Sequence, residues 1–353
     1  MRAAVLTEHG EPLEIQDVDY PEPAPDQVVV ETRACGVCRS DWHAWQGDWG
    51  WVGAQAPPGQ VLGHEPAGVV ASVGEDVETL AAGDRVAVPF HLADGTCHQC
   101  RTGHANVCES VIPLGFADVA PGAFAEAFPV RKADVNVAKL PDGVDFRDMA
   151  SLGCRFMTAF HGLAHRADLA PGDWVAVHGC GGVGLSAVHI ADALGANVVA
   201  VDIREDKLEK ARELGARETL NAADSERVPS DVKALVGGGC DVSVDALGVP
   251  ETCQNAIGSL GRRGEHVQIG LTTGNEQGNL TIPSDAMVMQ EIDFLASFGM
   301  PPTDYEEIFR MVDSGKLEPG RLVSEELSLD DVPETLSRMS DFDTVGIPVV
   351  TEF

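Results

Sequence analysis

Cys38, His64 and Cys154 are residue types that hold zinc. A soft thiolate, an imidazole and a second thiolate suit that ion, and three protein ligands leave a fourth position for a reacting oxygen. The three are spread over 117 residues, so spacing alone leaves buried structural residues equally open. A second group, Cys97, Cys100 and Cys108, is spaced as metal ligands are. A third signal is Gly179-Cys180-Gly181-Gly182-Val183-Gly184, which fits G-x-G-x-x-G and has Asp202 about twenty residues on. The first glycine permits a tight turn, the second lets backbone approach a pyrophosphate, and the third allows close helix–strand packing. The amides and dipole of the following helix attract the phosphates. A carboxylate at Asp202 accepts the adenosine ribose hydroxyls and repels a 2′-phosphate, which favours NAD over NADP. Arg204, two residues further, softens that preference.

The elements that position these groups differ along the chain. The first 150 or so residues read as short strands and loops: Val28–Val30, Gly68–Val73 and Asp84–Val88 are apolar runs bounded by Gly, Pro and Asp. From Trp174 the pattern changes. Trp174–His178 reads as a buried strand leading into the glycine turn, and Leu185, Val188, Ala191 and Leu194 as the buried side of a helix. Asn197–Asp202 is the next strand, and Asp206–Leu214 a charged helix stopped by Gly215. Asp241–Asp245 and His266–Ile269 continue the alternation, which marks a parallel sheet with helical crossovers.

The chain has 353 residues and 44% hydrophobic residues, enough for roughly two domains with sizeable cores. Its 24 Lys+Arg against 56 Asp+Glu give a net charge of −32, which excludes a binding footprint for nucleic acid or anionic membranes. Lysine is scarce and carboxylates abundant, the surface of a protein adapted to concentrated salt, that is, of a halophile. No apolar run is long enough to span a membrane, and the N-terminus lacks a signal-peptide pattern. The expected location is the cytoplasm, where thiols stay reduced and cysteine clusters read as metal ligands.

Gly63-His64-Glu65-Pro66-Ala67-Gly68, continuing to Gly74 and Val77, resembles the zinc signature of the medium-chain alcohol dehydrogenases. Cys38-Arg39-Ser40-Asp41 is similar to that family's first-ligand motif and Leu152-Gly153-Cys154 to its third. The resemblance covers nearly the whole chain. It implies an α/β protein: a Rossmann domain with a doubly wound parallel sheet over residues 155–297, and a mostly β, GroES-like catalytic domain over 1–154 and 298–353. Cys38, His64 and Cys154 would hold a catalytic zinc, with Glu65 behind it as an occasional ligand and Asp41 orienting His64. Ser40 would bond the substrate oxygen and start a proton relay through the cofactor ribose to His43. Arg39 would meet the pyrophosphate, Thr158 the nicotinamide, and Lys207 the adenosine ribose. Gly179, Gly181, Gly182, Val183, Gly184 and Asp202 complete the cofactor set.

The family usually places four cysteines around a structural zinc. Here Asp94 stands in the first place, before Cys97, Cys100 and Cys108, and a carboxylate oxygen can complete the tetrahedron at some loss of affinity. Family members often carry an arginine after a glycine near the C-terminus, on the cofactor phosphate; here Gly346 is followed by Ile347 and Pro348. Trp42, Trp45, Trp49 and Trp51 follow the first zinc ligand and suggest an aromatic wall that selects apolar or aromatic primary or secondary alcohols. Some of the four are expected to pack the domain instead. The alternatives are a zinc sugar or polyol dehydrogenase, or a non-catalytic NAD-binding protein. By resemblance the chain forms a homotetramer, with a dimer as runner-up, through edge strands near Ile292–Ser297.

Overall fold

A computed structural model describes residues 1–52 and 55–353. The chain divides into two compact units, Met1–Cys154 with Gly299–Phe353, and Arg155–Phe298.

In the first unit the central strand is β1, Val28–Gly36, whose apolar runs Val28-Val29-Val30 and Ala34-Cys35 are fully buried. The short helix α1, Arg39–Gln46, follows it, and β2, Glu65–Val73, returns antiparallel. The β1–β2 register pairs Gly36 with Glu65, Cys35 with Pro66 and Ala34 with Ala67. Because the strands run in opposite directions, this register brings the residues that leave β1 beside those that enter β2. Cys38 and His64 are those residues. On the far side of β2 lies β3, Arg85–Ala87.

The second unit carries the alternation read from the sequence. Strand β4, Trp174–His178, is followed by helix α2, Gly182–Ala193, then by β5, Asn197–Asp202, helix α3, Glu205–Glu213, and β6, Glu218–Asn221. Strands β7, Cys240–Asp245, β8, Leu260–Gln268, and β9, Asp293–Ala296, complete a six-stranded sheet in the order β6-β5-β4-β7-β8-β9, every pair parallel. The order reverses direction at β4, and the glycine turn sits at the carboxyl end of that strand, where such sheets bind ligands. Val175, Ala176, Val177, Val198, Val199 and Ala200 are wholly buried, as central parallel strands require.

After this excursion the chain completes the first unit. Helix α4, Val332–Ser340, packs near α1, and β10, Ile347–Glu352, inserts beside β1 with Val349 opposite Gly36 and Val350 opposite Cys35. The result is a seven-stranded sheet whose centre is built from distant parts of the chain.

Candidate active site

Asp41 organises the first cluster. It is fully buried on the first turn of α1. Its Oδ2 accepts the Cys38 amide at 2.9 Å, and its Oδ1 accepts the Gly63 amide at 3.1 Å and His64 Nδ1 at 2.8 Å. One carboxylate thus ties the end of β1, the start of α1 and the entry to β2. With the proton on Nδ1 facing Asp41, the His64 Nε2 lone pair is available to a metal. That atom is buried and carries no hydrogen bond. Burial alone would lower the His64 pKa, but Asp41 and the Cys38 sulfur outweigh it and hold the pKa well above the ordinary value. The surroundings favour positive charge at this imidazole, whether it arrives as a proton or as a metal ion.

Cys154 reaches the same point through Gly153. A Cβ on Gly153 would fall 2.5 Å from the Glu65 Cβ and 3.1 Å from its Cα, so only glycine lets the two segments touch. The donor atoms of Cys38, His64, Glu65 and Cys154 all lie within 4.8 Å of one another. Two sulfurs, an imidazole nitrogen and a carboxylate at that spacing fit a zinc ion.

Ser40 is half-buried on the first turn of α1, and His43 stands three residues on, on the same helix face. His43 Nδ1 lies 2.9 Å from Asp48 Oδ2. That contact sets the proton on Nδ1 and leaves Nε2 as a base. Burial lowers the His43 pKa below its ordinary 6.5 despite the Asp48 contact, so the ring is neutral near pH 7. His43 stacks on Trp49 with ring centroids 5.0 Å apart, and Trp49 meets Phe116 edge-on at 6.2 Å. Phe116 and Phe90 lie 5.1 and 6.1 Å from the His64 ring. An aromatic surface therefore runs from His43 to His64. The sequence pointed to the tryptophans, and among the described residues Trp49 lies within this surface while Trp42 meets His43 edge-on at its end, ring centroids 5.0 Å apart. Trp45 is a core residue that donates to the Glu11 carbonyl, Trp42 donates to Ser340 Oγ at 2.8 Å, and Trp51 is 40% exposed. Phe90 and Phe116 went unnoticed because no motif surrounds them.

Arg39 packs against aromatic rings at the start of α1. Its guanidinium lies between Trp42 and Phe342, 3.7 and 4.4 Å from the ring centroids, and donates to the Met339 carbonyl. Burial pushes its pKa down to about 10. The side chain fastens α1 to α4 and the loop after it.

The second cluster is local. Asp94, Cys97, Cys100 and Cys108 present donor atoms within 4.8 Å of one another. The Cys97–Cys100 and Cys97–Cys108 sulfur separations are 3.5 and 3.8 Å. Tetrahedral zinc with Zn–S bonds of about 2.3 Å spaces its sulfurs about 3.8 Å apart, so the group fits. Backbone amides of Cys97 and Thr96, at 2.9 and 2.6 Å from Asp94 Oδ1, hold that carboxyl down to about 2. Amides of Cys100 and Glu109 likewise lower the Cys97 pKa, whereas burial raises Cys100 to about 12.

The dinucleotide site lies in the second unit. Gly179 has φ +90°, and a Cβ on Gly184 would fall 1.7 Å from the Gly179 carbonyl oxygen, so both positions demand glycine. Gly181, the N-cap of α2, faces open space where a Cβ would sit, which leaves room for a pyrophosphate against the backbone. Gly182 and Val183 begin the helix, half-buried. Asp202 ends β5; its Oδ2 accepts the Cys180 amide at 2.7 Å and its Oδ1 the Arg204 amide at 3.0 Å. Arg204 is held by Asp206, Nε to Oδ1 at 3.0 Å and Nη2 to Oδ2 at 2.5 Å. Lys207 is largely buried on the first turn of α3. Thr158 is buried in the helix Cys154–Phe160, its carbonyl accepting Ser297 Oγ at 2.9 Å.

Residues 24–142 match the alcohol dehydrogenase GroES-like domain and residues 182–314 the zinc-binding dehydrogenase domain. The chain belongs to the zinc-dependent medium-chain alcohol dehydrogenases. It is similar to an alcohol dehydrogenase of Moraxella sp. (strain TAE123), 34% identical over 92% of this chain and 98% of the relative. An NAD-dependent alcohol dehydrogenase of Sulfurisphaera tokodaii is 31% identical over 99% of both chains. Among solved structures, an alcohol dehydrogenase of Thermus sp. ATN1 superposes with a TM-score of 0.90 at 30% identity, covering 100% of both chains. The family fixes the fold, a GroES-like domain with a Rossmann domain, and the activity, a zinc-dependent alcohol dehydrogenase.

Proposed function

We propose that the chain oxidises apolar or aromatic primary or secondary alcohols with NAD. The observation that carries this reading is the aromatic surface of Trp49, Phe116 and Phe90 between His43 and His64. Such a wall pairs with an apolar substrate body and offers nothing to the hydroxyls of a sugar or polyol. When bound, zinc polarises the alcohol oxygen and NAD takes up the hydride. Cys38, His64 and Cys154 hold the metal, Glu65 stands behind it, and Asp41 fixes the His64 tautomer. Ser40 accepts the alcohol proton, and His43, neutral and oriented by Asp48, receives it at Nε2. Asp94, Cys97, Cys100 and Cys108 hold a structural zinc. Gly179, Gly181, Gly182, Val183 and Gly184 seat the pyrophosphate, Asp202 and Lys207 the adenosine ribose, and Thr158 the nicotinamide.

We also infer assembly with further copies of the chain, a tetramer before a dimer, through the edge strand β9. Phe294 on β9 is 40% exposed, and Val288 and Met289 just before it are about three-quarters exposed. The acidic surface supports salt adaptation. Five of the nine cysteines fall in the two metal clusters, which supports a reducing cytoplasm. Among the described residues no helix is long and apolar enough to cross a membrane. The test is NADH production with a panel of aliphatic, aromatic, sugar and polyol alcohols, alongside zinc analysis. Higher kcat/KM for polyols than for aromatic alcohols would overturn the substrate reading.

A further inference from the structure

We infer that Gln268 positions the loop that walls the cofactor crevice opposite the glycine turn. The inference rests on the dinucleotide site described above and adds a residue that no motif marks. In a sheet ordered β6-β5-β4-β7-β8-β9 the crevice opens between the carboxyl ends of β4 and β7, where the chain departs toward β5 from one and toward β8 from the other. The glycine turn is one wall. Ala246-Leu247-Gly248, which follows β7, is the other. The Ala246 amide donates to the His178 carbonyl at 3.0 Å, and a Cβ on Gly179 would fall 2.6 Å from Leu247 Cδ1. Leu247 is 41% exposed there, an apolar side chain held out beside the turn.

A buried carboxylate holds this loop. Asp245, the last residue of β7, is fully buried. Its Oδ1 accepts the Leu247 and Gly248 amides at 3.0 and 3.2 Å and the Thr252 hydroxyl at 2.9 Å. Its Oδ2 accepts Gln268 Nε2 at 2.8 Å, and the same nitrogen donates to the Gly270 carbonyl at 2.9 Å. Both of these neighbours only accept, so the NH2 end of the amide must face them. The Oε1 end accepts His266 Nε2 at 3.1 Å, and His266 Nδ1 then accepts the Ser243 hydroxyl at 3.0 Å. His266 and Ser243 are fully buried, so the chain of bonds has one sense and Gln268 one orientation. Gln268 thereby ties the ends of β7 and β8 where their loops touch: a Cβ on Gly270 would fall 2.2 Å from the Gly248 nitrogen. Burying a carboxylate costs desolvation free energy that an apolar residue would avoid, and what it secures here is the shape of the loop.

The experiment compares zinc-loaded wild type with three variants. Gln268→Met removes both donors, and Gln268→Glu sets a second carboxylate against Asp245. Ser259→Ala is the control: Ser259 is fully buried between the His178 ring and the Asn255 carbonyl, so its loss costs stability without touching the loop. NADH binding is read by fluorescence titration and the loop by amide hydrogen exchange. A lost hydrogen bond to a charged group changes the loop's equilibrium by a factor of about 10–100, and apparent affinity falls with the competent fraction. Gln268→Met should therefore weaken NADH by about tenfold. Gln268→Glu should weaken it further, and Ser259→Ala should leave it unchanged. In both Gln268 variants the Leu247 and Gly248 amides should exchange faster while those of Val175, Ala176 and Val177 stay protected. KM for NAD should rise, with kcat at saturating NAD held within about twofold. Wild-type NADH affinity in Gln268→Met would overturn the inference. So would an equal loss in Ser259→Ala, or faster exchange throughout the sheet, because either marks general destabilisation. If Gln268→Glu does not fold, Gln268→Met decides on the same readouts. Wild type failing to bind NADH would instead sink the dinucleotide site itself.

Discussion

Asp41→Asn tests how the catalytic metal site is held together. Asp41 Oδ1 serves two donors, the Gly63 amide and His64 Nδ1, and Oδ2 serves the Cys38 amide. Asparagine keeps one oxygen for Gly63 and His64 but turns an NH2 group onto the Cys38 amide. Two donors then face each other in a fully buried place, at a cost of about 1–3 kcal/mol. The first unit has roughly 200 residues, a size at which each kcal/mol moves the melting midpoint by about 2–4 °C. A drop of about 5 °C is expected. The His64 ring also loses the carboxylate that fixes its tautomer, and zinc affinity should fall about 10- to 100-fold. Asp41→Ala strands all three donors and should cost about 4 kcal/mol or more. The assays are a thermal melt and zinc retention against a chromogenic chelator. If Asp41→Asn keeps both the wild-type midpoint and wild-type zinc retention, Asp41 is not the organiser of the cluster.

His43→Gln should lower kcat by about 10- to 100-fold near pH 7, the deficit closing as pH rises and hydroxide takes the proton instead. Because burial holds the His43 pKa below 6.5, the neutral ring persists through pH 6.5 on the way down. The acid limb of the wild-type kcat profile should therefore lie below that value, and a limb above pH 7 would contradict the assignment. Asp206→Asn should release Arg204 to a 2′-phosphate and narrow the advantage of NAD over NADP by about tenfold in kcat/KM. An unchanged ratio would clear Arg204 of any part in cofactor choice. Asp94→Ala should lose the second zinc on dialysis and Asp94→Cys should hold it more tightly, as measured by mass spectrometry. Equal zinc content in all three proteins would show that Asp94 is no ligand. The melting midpoint should climb with KCl and keep climbing above 1 M. There the Debye length is about 3 Å against about 30 Å at 0.01 M, and further gain comes from ion binding or strengthened apolar burial. A flat midpoint between 0.5 and 4 M would leave the acidic surface without a role in salt tolerance.

The parts of the site legible in the sequence are those whose chemistry is local. Gly179 to Gly184 and Asp202 sit on consecutive elements, so strand, turn and helix could be read as one unit. Asp94 to Cys108 close a loop on themselves. The gathering of Cys38, His64 and Cys154 rested on resemblance, because the β1–β2 register and the Gly153–Glu65 contact that bring them together are tertiary. Phe90 and Phe116 stayed invisible for the same reason. The packing of Arg39 on Phe342 was illegible because the two lie some three hundred residues apart.

The split composition of the first unit sets an order of events during synthesis. Strand β10 lies at the centre of that unit's sheet, against the very residues of β1 that lead into Cys38, yet the ribosome makes it after all of residues 155–298. The dinucleotide unit is continuous and can fold while it emerges. The zinc-bearing unit must wait, with β1 lacking one neighbour, until its last strand is released. The thiols of Cys38 and Cys154 are therefore made before the strand that completes the sheet beside β1.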